Sequence, residues 1–82
     1  MDWKSLELPE GARLNKVHHF TFMLKGQMYQ LEIDEMNDGS FAGHGEHSSD
    51  KNFVLASVNG SSMAKCLEQL VKDIKGLSLI HI

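Results

Sequence analysis

The 82 residues are 41% hydrophobic and 23% charged, a globular composition that speaks against disorder and leaves room for one domain. A formal net charge of -3 disfavours electrostatically driven binding to nucleic acid or anionic lipid. The lone cysteine, Cys66, has no internal disulfide partner and points to a reducing cytoplasm; no apolar run reaches the roughly 18 residues of a membrane span, and the start lacks the pattern of a signal peptide.

Residues 1–16 read as an N-terminal arm ahead of a single α+β domain over 17–82. Pro9-Glu10-Gly11 forms a turn that stops any helix there. Trp3, near the tip, either packs over one edge of the core or stays exposed as an anchor for a partner.

From Val17 to Phe41 apolar and polar residues alternate, the period of half-buried strands. A two-residue Gly26-Gln27 turn, glycine first, pairs Leu24 with Tyr29, Phe22 with Leu31 and Phe20 with Ile33 on a core face. The opposite face then pairs Met23 with Gln30, Thr21 with Glu32 and His19 with Asp34. Sliding by one residue would bury Glu32 and Asp34, at a cost of several kcal/mol. For the second hairpin, a three-residue Asn37-Asp38-Gly39 loop with Gly39 left-handed sets Phe41 and Gly43 on the face of Ile33. Gly43 and Gly45 then suggest a bulge or a close backbone approach.

After a polar loop over 46–52, the apolar run Phe53–Val58 reads as a fourth strand, buried on both faces or partly covered by the arm. Beyond Asn59-Gly60 the period changes to that of a helix. Ser61 or Ser62 caps it, Met63, Cys66, Leu67, Leu70 and Ile74 form its buried stripe, and Gly76 ends it. Leu77-Ser78-Leu79-Ile80-His81-Ile82 is β-prone and apolar on both faces, and is expected to pair as a short strand in its own sheet or a partner's. The fold is thus an antiparallel three- to four-stranded sheet with one C-terminal helix on one face, β-β-β-β-α, with a possible short terminal strand. The strand–strand–strand–helix order, ending in Gly60-Ser61-Ser62-x-Ala64-Lys65-x-Leu67, resembles the C-terminal part of a double-stranded RNA-binding domain. The small HicB-type antitoxin fold is similar too. Both likenesses cover Phe20 to Ile74 in element order only, and no residue role carries over.

Chemistry is sparse. His44, Glu46, His47 and Asp50 form the one loop with zinc- or nickel-type ligands, without a helical His-Glu-x-x-His spacing or a cysteine partner. Cys66 lies in the helix stripe, the serines lack a nucleophile elbow, and the glycines are scattered over separate turns. No cofactor is implied. The expected role is a non-enzymatic interaction module acting as a homodimer through Trp3, Leu77, Leu79, Ile80 and Ile82. The alternatives are a small-molecule or metal binder using the histidine loop, and a regulator whose acidic face of Glu32, Asp34 and Asp38 meets a basic partner.

Overall fold

A computed structural model describes residues 2–50 and 52–80, with the side chains of the last four excepted. Strands β1 (Asn15–Leu24), β2 (Gln27–Met36), β3 (Phe41–His47) and β4 (Val58–Gly60) form one antiparallel sheet in sequential order. Helix α1 (Met63–Ile80) packs across β2, β3 and β4. The α+β architecture expected from the change of period is present.

The β1–β2 turn sits one residue earlier than the glycine alone suggests. Lys25 (φ 50) and Gly26 (φ 78) form the loop, Leu24 pairs with Gln27, and the ladder continues through Phe22–Tyr29, Phe20–Leu31 and His18–Ile33. Positive φ at both loop positions makes this a type I′ turn, whose twist suits a hairpin. The expected pairs are displaced by two residues. Because side chains alternate with period two, the faces survive this shift and only the partners change. His19 therefore lies opposite Glu32, not Asp34.

The second hairpin has the expected three-residue loop. Gly39 has φ 92, the Met36 N–H donates to the Ser40 carbonyl, and Ile33 pairs with Gly43. Asp38 Oδ1 accepts from both the amide and the hydroxyl of Ser40, which holds its carboxyl below the usual range.

The fourth strand is shorter and later than the apolar run. Only Val58–Gly60 joins the ladder, while the backbone of residues 53–57 pairs with β3 at an isolated Glu46–Val54 bridge. Leu55 is buried but Val54 is 68% exposed, so the run is not the two-faced core strand it resembles. Leu55 and Val58 instead fill the space that Gly43 and Gly45 leave open. A Cβ at Gly43 would stand 2.8 Å from Val58 Cγ2, and one at Gly45 2.6 Å from Leu55 Cδ1.

The core comprises Tyr29, Leu31, Ile33, Leu55, Cys66, Leu70 and Ile74, with Phe20, Phe22, Leu24, Met63 and Leu67 packed partly buried against it. Ser62 is the helix cap, its Oγ accepting from the Lys65 amide. Burial pushes the Cys66 thiol pKa up, as suits a small core hydrophobe. Gly76 does not end the helix. It lacks a left-handed φ, and the backbone runs on helically to Ile80. The short terminal strand is thus replaced by helix over 77–80; the contacts of Leu77, Leu79 and Ile80 and all of Ile82 lie outside the described residues.

The arm turns at Pro9, whose carbonyl accepts from the Ala12 amide, with Gly11 at φ 82. A short 3-10 turn at Trp3–Ser5, capped by Asp2, leaves Trp3 partly buried and sends Lys4 to Glu35 on β2.

Candidate functional surfaces

The helix leaves two surfaces available, and strand parity decides what each presents. On the outer face β1 presents Asn15, Val17, His19, Thr21 and Met23, while β2 presents Met28, Gln30, Glu32, Asp34 and Met36. From β3 come Ala42, His44 and Glu46. None of these strand residues is lysine or arginine.

A shallow groove on this face is lined by His19, Gln30, Glu32, His44, Glu46 and Val54. Beside it His44 Nε2 lies 3.0 Å from Asp34 Oδ2, and Ser57 Oγ lies 3.4 Å from His44 Nδ1. His19 Nε2 stands 4.0 Å from Glu32 Oε1. Ser57, His44 and Asp34 thus form a line able to pass a proton. That line runs over the outer sheet face, where water competes with each hydrogen bond.

The proposed metal ligands divide between surfaces. His44 and Glu46 share the outer face, as their alternation requires. His47 has the opposite parity. Its ring centroid is 5.2 Å from Tyr29 and 6.1 Å from Phe53, and its nitrogens are already engaged. The amides of Asp50 (3.0 Å) and Ser49 (3.2 Å) donate to Nδ1, which places the ring proton on Nε2, facing Gln27 Oε1 at 2.6 Å. Asp50 accepts from the Asn52 amide. Among the described residues no three His, Cys, Asp or Glu side chains are grouped to hold a metal ion. The role that the residues give His47 is to brace the 47–53 loop. Its parity with Gly43 and Gly45 was the signal that would have shown this.

The second surface is the edge of β1. Leu24–Gln27 closes a two-residue hairpin, so Leu24, Phe22, Phe20 and His18 direct their amides and carbonyls to β2. The same alternation is visible across the sheet, where the Met28 carbonyl and Met36 amide point to the β3 side. Val17, His19, Thr21 and Met23 therefore present their backbone groups outward along an edge that ends the sheet. On the inner face of this strand Phe20, Phe22 and Leu24 are only partly buried, because the helix seats on β2–β4. Neither the edge nor its half-covered aromatic row was identified from the sequence, which paired β1 with β2 but did not settle what lies on its other side.

Searches found no matching protein-family model, curated protein or solved structure. Among the described residues no helix is long and apolar enough to cross a membrane.

Proposed function

We propose that this chain is a non-enzymatic interaction module whose working surface is the free edge of β1. The observation that carries the reading is the combination of a ten-residue edge strand, unpaired on its outer side among the described residues, with a half-covered apolar row directly beneath it. Natural sheets blunt such edges with proline, bulges, inward charges or a covering element. The span Asn15–Leu24 contains no proline and no acidic residue, and its one charged residue, Lys16, lies at the far end. An added strand would gain ladder hydrogen bonds from four residues and would bury the exposed sides of Phe20, Phe22 and Leu24.

A synthetic strand of sequence Asn15–Leu24 is a suitable probe. Its binding should perturb the amides of Val17, His19, Thr21 and Met23. Thr21→Pro should abolish that binding while keeping the fold, since this amide faces away from β2 and proline is tolerated on such an edge. Binding unaffected by the proline would place recognition elsewhere.

A second reading is favoured by the charge of the outer face, where Glu32, Asp34 and Glu46 have no lysine or arginine among their strand neighbours. This face suits a basic partner, with affinity that falls as salt rises. Binding of a lysine-rich peptide, weakened by Glu32→Gln and Glu46→Gln together, would support it; binding indifferent to both changes would refute it.

A further inference from the structure

Resting on the edge reading above, we infer that the strand received by β1 is the β1 of a second copy, in an antiparallel register with Thr21 opposite Thr21 across the two-fold axis. The argument is one of self-complementarity. An isologous edge contact sets each residue against another of the same strand, so the strand must tolerate its own reverse.

Among the outward-bonding residues this register pairs Thr21 with Thr21 and His19 with Met23, and it sets Val17 beside the Lys25 turn, beyond the end of the ladder. On the inner face it sets Phe20 against Phe22 and His18 against Leu24. No like charges meet. Threonine–threonine and aromatic–aromatic pairs are among the favourable cross-strand neighbours. Four phenylalanines, two from each copy, become contiguous where each copy alone leaves them partly exposed. Centring on Phe20 instead puts each Phe22 against His18 and breaks up that row. The opposite end of the sheet offers no comparable site, since β4 has only three residues. The product is one continuous sheet through two copies, with both helices on the same side and both outer faces merged.

Sedimentation and cross-linking test the inference. The wild-type chain should sediment as a dimer at tens of micromolar. Thr21→Lys, which places two ammonium groups together at the axis, should raise the dimer dissociation constant at least tenfold with an unchanged circular dichroism spectrum, and Thr21→Ser should not. Thr21→Cys should form an intermolecular disulfide under mild oxidation. Val17→Cys should not, because the two copies of residue 17 stand about 27 Å apart at about 3.4 Å per residue. Cys66 is buried and does not compete.

Preferential Val17→Cys cross-linking would overturn the register, and a dimer insensitive to Thr21→Lys would overturn the interface. A strictly monomeric wild type would overturn the second copy as partner. In that case continued binding of the synthetic strand would leave the edge reading standing, whereas loss of binding would remove both.

Discussion

Lys4 Nζ lies 2.7 Å from Glu35 Oε2, joining the tip of the arm to the last turn of side chains on β2. The other carboxylate oxygen is 2.9 Å from His18 Nε2 on β1, so one side chain gathers three segments of the chain. Lys4 first and His18 second hold the Glu35 carboxyl below its ordinary value of 4.5, while Glu35 raises the Lys4 pKa.

A depressed carboxylate stabilises the folded state above its unfolded pKa, and that contribution is lost as pH falls through the folded value. The arm should therefore loosen on acidification below about pH 4.5, the ordinary value for Glu35. Trp3, the only tryptophan, adjoins Lys4 and reports the event through its emission. Glu35→Gln should remove this transition; an identical acid titration in that variant would dissociate the arm from the ion pair.

Lys25 occupies the left-handed region at φ 50, where a side chain other than glycine or asparagine carries strain. Lys25→Asn converts the loop to Asn-Gly, the preferred type I′ pair, and should stabilise the fold by about 0.5–1 kcal/mol in denaturant unfolding. A loss of stability would argue for a different turn.

The seating of the helix on the glycine-bearing strand makes two opposite errors costly. Leu70→Ala empties a fully buried position and should cost about 2–5 kcal/mol. Gly45→Ala adds a methyl 2.6 Å from Leu55 Cδ1 and 2.9 Å from Leu31 Cδ2, and should cost about 1–3 kcal/mol through overpacking. A neutral result at either position would contradict the packing of α1, or of the 53–57 segment, against β3.

The two histidines of the loop should separate cleanly. His47→Ala removes an acceptor for two backbone amides and a ring packed between Tyr29 and Phe53, for a loss of about 1–2.5 kcal/mol. His44→Ala breaks an exposed pair with Asp34 and a long contact with Ser57, and should cost less than about 1 kcal/mol. Equal effects in thermal unfolding would contradict these roles.

What was legible in the sequence follows from what periodicity can specify. Alternation assigns strand residues to faces and the 3.6-residue period assigns helix residues to a stripe, so Leu31, Ile33, Gly43 and the stripe Cys66–Leu70–Ile74 were readable as inward-facing. It is blind to a shift of two, and so it misassigned Phe22 to Leu31 and His19 to Asp34. Only the backbone at Lys25 breaks that degeneracy, and a lysine in the left-handed region carries no compositional signal. The run Phe53–Val58 lacks one continuous alternation because its register against β3 shifts by one residue between the Glu46–Val54 bridge and the Gly43–Val58 pair. Glycine at 76 read as a stop because glycine commonly caps helices, but an uninterrupted helical backbone tolerates it at about 1 kcal/mol. The β1 edge was invisible for a further reason: a strand's sequence records its two faces, not which of its sides lacks a neighbour.

Backbone amide exchange along β1, followed as a function of protein concentration, tests the central claim most directly. Phe20 and Phe22 bond to β2 and should be protected at every concentration. Val17, His19, Thr21 and Met23 should exchange rapidly in dilute protein, and His19, Thr21 and Met23 should become protected as it associates. Protection confined to the even-numbered residues in the associated protein would show that the edge of β1 stays open, and would contradict the account.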